Sequence, residues 1–117
     1  MRKAILFMAM AALLGRAEGA DTEAAVSGIG AAKCSAFTKA FKESPTLAEN
    51  LYFSWAQGYM SGMNTALLMV KKPFRDLSAQ SADQQKLHIR NYCDKRPDSP
   101  FLDAVLNLYG IIPPQSN

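Results

Sequence analysis

One histidine and two cysteines in a chain of 117 residues leave little from which to build a catalytic or metal centre. Two thiols and one imidazole fall short of the four ligands of a structural zinc site. If the thiols pair with each other, none is left to partner His88 in a Cys–His nucleophilic arrangement. Asp94, Asp98 and Asp103 are close in sequence, but they fall around expected helix ends, where acidic side chains serve as caps and surface charge. Glycine is also unhelpful to catalysis here. Gly58 and Gly62 lie within a helical pattern and lack the strand-turn-helix context of a phosphate-cradling loop. We therefore expect no enzyme, no cofactor and no metal.

Charge of one sign is scarce as well. From Asp21 onward ten Lys and Arg stand against nine Asp and Glu, a formal charge of +1. Lys71, Lys72 and Arg75 form the only basic concentration, which reads as a solvated loop rather than a nucleic-acid face. After the first twenty residues no stretch is apolar and charge-free over the roughly 20 positions a membrane helix requires, so no stable membrane insertion is expected. Period-2 alternation is missing too, which argues against a sheet.

The first twenty residues read as a secretory signal. Arg2 and Lys3 precede an apolar run from Ala4 to Leu14, and Gly15 to Ala20 is a small-residue region suited to cleavage near Gly19 or Ala20. Export places Cys34 and Cys93 in an oxidising compartment, where a disulfide is the expected state. The alternative is a pair of reactive or metal-binding thiols. A disulfide would close a loop of about 60 residues, worth roughly 4 kcal/mol in the chain-entropy model.

The helical signals are strong. Residues 21–30, rich in Ala, Gly and Ser, read as a flexible leader, and residues 31–112 as a single helical domain followed by a short tail, 113–117. Cys34, Phe37 and Phe41 mark the apolar side of a first helix over 31–43. Ser44 and Pro45 start a second, long helix that runs to Val70 or Lys71. A Ser81/Gln84 capping box opens a third, with Gln85, Ile89, Tyr92, Cys93 and Arg96 along one side. Ser99 and Pro100 start a fourth, whose stripe is Phe101, Ala104, Val105, Leu108 and Tyr109 and whose stop is Gly110. The expected architecture is all-α: four helices, one long and central, stapled by one disulfide.

The central helix carries the candidate binding surface. Ala48, Tyr52, Trp55, Ala56, Tyr59, Met63, Ala66, Leu67 and Val70 recur at helical spacing as one apolar face. Beside it Ser54, Gly58, Gly62 and Ala66 fall four apart, a line of small residues where another backbone can approach closely. Each interior glycine costs about 1 kcal/mol against alanine, so a neighbouring element of the same chain is expected to use the space, with a dimer or partner surface as the alternative. Trp55, Gly58, Tyr59, Gly62, Met63 and Leu67 are the candidate partner or client residues.

KCSAF (33–37), an aromatic-rich helix, IRNYCDKRP (89–97) and FLDAVLNLY (101–109) together resemble the HdeA/HdeB-type periplasmic acid-stress chaperones. That resemblance implies a periplasmic holdase, idle at neutral pH and often dimeric, that loosens in acid and keeps unfolded periplasmic proteins from aggregating, with Cys34 and Cys93 matching the family disulfide. WAQGYMSGMN (55–64), with the pattern around Tyr92 and Pro97, resembles the Rap1a/Tai type of periplasmic immunity protein, which implies binding of one specific partner at neutral pH.

Overall fold

A computed structural model describes residues 25–115. The expected signal, its cleavage point and the first residues of the leader lie outside the described residues. The helix that organises the fold is α2, Pro45–Met69, with Pro45 at its first turn where a missing N–H costs nothing. Around it stand α1 (Cys34–Glu43), α3 (Ala82–Lys95) and α4 (Phe101–Ile111). Among the described residues there is no strand, only two isolated bridges, Lys33 with Pro100 and Arg75 with Pro114.

Both cysteines are bonded to each other, and each is 0% exposed. The bond fastens the start of α1 to the end of α3. Beneath it the core gathers Phe37 from α1, Phe53, Ala56 and Met60 from α2, Ile89 from α3, and Phe101, Ala104, Val105 and Leu108 from α4. All five residues of the expected α4 stripe are buried.

Several boundaries differ from the sequence reading, each for a local reason. α1 begins at Cys34 rather than Ala31, because Ala32 and Lys33 are extended and pair with the segment before α4. There the Cys34 N–H donates to the Ser99 carbonyl at 2.8 Å and the Phe101 N–H to the Ala32 carbonyl at 2.7 Å. Gly110 does not stop α4. The helix runs one residue further and ends against Pro113, with Ile112 fully buried. The capping box of α3 forms as expected, the Gln84 N–H donating to the Ser81 hydroxyl and the Ser81 N–H to the Gln84 side chain.

α2 ends in a Schellman turn. The Lys72 N–H donates to the Leu67 carbonyl at 2.9 Å and the Lys71 N–H to the Leu68 carbonyl at 3.1 Å. Lys71 takes φ +56° in this turn, a position more often filled by glycine. Past it, the connection to α3 is anchored through Arg75. Its guanidinium donates to the Ile112 carbonyl at 2.9 Å and stands 5.8 Å from the Tyr109 ring centre, so Arg75 does not share the solvated character of Lys71 and Lys72.

Candidate functional site

The inner side of α2 is turned from the expected face by about one residue. Phe53, Met60 and Asn64 are buried alongside Ala48 and Ala56, while Ala66 and Val70 are exposed. Trp55, Tyr59, Met63 and Leu67 consequently fall on the flank of the helix, where each is half-buried.

This flank has an aromatic head. The Trp55 indole stacks on Tyr59, ring centres 5.2 Å apart and planes 17° from parallel, and meets Phe101 edge-on at 6.2 Å. Phe101 also contacts Tyr52 at 4.9 Å and Phe37 at 5.5 Å, which joins the flank to the core. Over the outer side of the indole lies a single 3-10 turn, Gly28–Ala31. Gly30 sits directly on the ring, and a Cβ at that position would overlap the indole carbons. Gly28, at φ +71°, makes the bend that brings the turn down. Residues 28–30, read by composition as leader, are thus the cover of Trp55. Met63 and Leu67 continue the flank towards the C-terminal end of α2.

The small-residue line has the opposite environment. Among the described residues a Cβ built on Gly58 or Gly62 meets nothing within 4 Å, and Ser54 and Ala66 are exposed. The expectation that another element of this chain fills the space is therefore corrected: the line faces outward, opposite the core.

Charge is sparse around α2. Its only charged residue is Glu49, paired with Arg90 of α3, whose guanidinium also lies 5.1 Å from the Phe41 ring centre. At the far end of the helix buried Asn64 joins three segments. Its amide donates to the Arg75 carbonyl at 2.8 Å, and its carbonyl accepts from the Arg75 N–H at 3.1 Å and from the Tyr109 hydroxyl at 2.7 Å. Sequence reading passed over Asn64, although an amide flanked by Met63 and Leu67 on an apolar helix was a signal for a buried polar hub.

His88 bonds the Asn107 side chain at 2.8 Å, which ties α3 to α4. Among the described residues no three His, Cys, Asp or Glu side chains gather as a metal site, and no helix is long and apolar enough to cross a membrane. Fold and site together define a small all-α domain stapled by one disulfide, with a thinly covered aromatic flank. Compared with known protein families, curated proteins and solved structures, the chain matches none.

Proposed function

We propose that the protein is a non-catalytic, polypeptide-binding protein of the periplasm that acts as an acid-stress holdase, its client surface being the Trp55–Tyr59–Met63–Leu67 flank of α2. The observation that carries this reading is the cover of Trp55: one 3-10 turn, with a glycine against the ring, lies over the indole at the head of the apolar flank. Acid supplies a means of removing it. Near pH 2.5 the nine Asp and Glu from Asp21 onward lose most of their charge while the ten Lys and Arg keep theirs, so the formal side-chain charge climbs from +1 towards about +10 and opposes compactness. The disulfide keeps α1 and α3 joined while the flank opens, and Met63 and Leu67 add an adaptable apolar surface beside the rings.

Light scattering from an unrelated protein that unfolds in acid tests this. The oxidised protein is expected to suppress the client's aggregation at about pH 2.5 and not at pH 7. The double change Met63→Gln and Leu67→Gln should weaken suppression several-fold with the neutral-pH fold intact, because both side chains are already half-exposed. Absence of suppression at both pH values would sink the holdase reading. A second reading, an immunity-like protein with one specific partner at neutral pH, is favoured by the exposed Gly58/Gly62 line, which needs no loosening to be presented. A stoichiometric complex at pH 7 with one secreted enzyme would select it.

A further inference from the structure

The C-terminal end of α2 outruns the core. The buried positions Ala56, Met60 and Asn64 follow one another at steps of four, and the next in that series, Leu68, is 54% exposed. Met69 is 81% exposed and Val70 61%, and every residue from Leu68 to Pro73 is exposed. A helix lying along a protein surface hides some residue in each turn of about 3.6. Six exposed residues in succession leave no hidden side, so this end projects as a tip. Its side chains run Leu68, Met69, Val70 and then Lys71, Lys72. Three large apolar side chains together on a projecting end mark a contact site rather than scattered surface exposure.

We infer that this tip docks on the surface of an anionic phospholipid bilayer, with Leu68, Met69 and Val70 entering the headgroup layer and Lys71 and Lys72 meeting lipid phosphates. The contact is interfacial, since no helix among the described residues is long and apolar enough to cross a membrane. Charge is the first observation that selects this occupant. No Asp or Glu falls between Glu49 and Asp76. Glu49 is paired with Arg90 near the other end of α2, and the Asp76 carboxylate accepts from the Ser78 N–H at 3.0 Å and its hydroxyl at 2.6 Å. Arg75 donates inward to the Ile112 carbonyl. The two lysines are therefore the charges the tip presents, and they call for an anionic surface.

The second observation is shape. Beside the tip opens a groove of about 580 Å³ lined by Leu68, Pro73, Phe74 and Pro114 together with Lys71 and Lys72. Apolar walls and two ammonium groups in one groove match both halves of an acidic phospholipid, its anionic head and its hydrocarbon. The tip is also exposed all round, so a folded partner would have to enclose it from every side. A bilayer does so by yielding, and it offers phosphate and hydrocarbon in adjacent layers whatever the rotation of the tip about its axis.

The third is the backbone. Lys71 holds φ +56° in the turn that closes α2, where glycine would carry no strain. The Lys71 and Lys72 N–H groups are fixed on the Leu68 and Leu67 carbonyls, so both lysine stems leave a set turn directly after the apolar residues. Their methylenes can lie along hydrocarbon while the ammonium groups stay with the phosphates. Each lysine near an anionic bilayer strengthens binding about fivefold, and salt screens that gain beyond about 10 Å at 0.1 M. With two lysines and three apolar side chains the docking is reversible and depends on both anionic lipid and salt.

Co-sedimentation of the oxidised protein, purified after export, with vesicles at pH 7 tests the inference without any client. Vesicles of phosphatidylglycerol and phosphatidylcholine in equal parts are expected to bind it at least about tenfold more tightly than phosphatidylcholine alone. Raising the salt from about 20 mM to about 500 mM should release most of it. Lys71→Gly should weaken binding about fivefold while the melting temperature stays the same or rises, because glycine suits that turn. The double change Met69→Gln and Val70→Gln should weaken binding several-fold with the fold intact, since both side chains already stand in water. No binding to anionic vesicles, equal binding to both compositions, or binding indifferent to both variants overturns the inference. So does a tip that ignores vesicles and is covered one-to-one by an acidic protein. The holdase reading is judged separately, by client scattering in acid, and either can fail without the other.

Discussion

Changing Cys34 and Cys93 together to alanine is expected to lower the unfolding free energy by about 4 kcal/mol and the melting temperature by roughly 20 °C. The two residues are 59 apart in sequence, so the bond removes a large loop from the freedom of the unfolded chain. It also anchors a short helix. α1 has ten residues and two buried ones, Cys34 and Phe37. Apart from the bond it is held by Phe37 packing on Tyr52 and Phe101 and by the Cys34 and Ser35 N–H groups donating to the Ser99 and Pro97 carbonyls. Both positions are 0% exposed, so alanine avoids burying an unpartnered hydroxyl and isolates the loss of the bond. Urea denaturation of the oxidised and doubly substituted proteins measures the difference. A loss below about 1 kcal/mol would show that the remaining core holds α1 without the staple.

Asn64→Leu should cost about 3 kcal/mol or more despite the similar size of the side chain. The substitution strands the Tyr109 hydroxyl and both backbone groups of Arg75, at roughly 1–3 kcal/mol for each group that cannot reach water. Its effect has a distinctive location. Arg75 lies in a short clasp in which the Asp76 N–H donates to the Pro113 carbonyl and the Gln115 N–H to the Phe74 carbonyl, both at 2.9 Å. Hydrogen exchange at those two amides should accelerate more than at the amides of α1 and of the N-terminal half of α2. Uniform acceleration across the domain would mean that Asn64 stabilises the fold generally and does not hold the clasp in particular.

Much of this architecture was legible because its punctuation is chemical. Pro45, the Ser81/Gln84 box and the Pro97 to Pro100 stretch mark helix boundaries through missing N–H groups and satisfied orphan donors, and all four helices fall between those marks. The phase of α2 was harder to read. Tyr52 is followed by Phe53, Tyr59 by Met60 and Met63 by Asn64, so two adjacent stripes compete for the core, and with one charged residue in 25 there is no wet side to settle the choice. The buried stripe through Phe53, Met60 and Asn64 is decided by what packs against it, including the Tyr109 hydroxyl and the Arg75 backbone, and those partners are distant in sequence. The cover over Trp55 was hidden for a similar reason. Gly28 and Gly30 read as leader composition, and their role depends on an aromatic ring 25 residues further along the chain.

Outward presentation of Gly58 and Gly62 shows the same limit from the other side. Helical spacing put Ser54, Gly58, Gly62 and Ala66 on one line, but spacing cannot say whether that line meets the core or water. Here it lies opposite Ala56 and Met60, which are fully buried, so a space expected to serve internal packing is open among the described residues.

The central claim, that acid uncovers the flank beneath the Gly28–Ala31 turn, is tested most directly by fluorescence. Trp55 is the only tryptophan in the chain, so its emission reports that site alone. On lowering the pH from 7 to about 2.5 the account predicts a shift of the emission maximum to longer wavelength and several-fold greater quenching by acrylamide, with most far-UV helical signal retained and the disulfide intact. Emission and quenching unchanged across that range, in protein that remains helical, would mean that the cover stays closed in acid and would contradict the account.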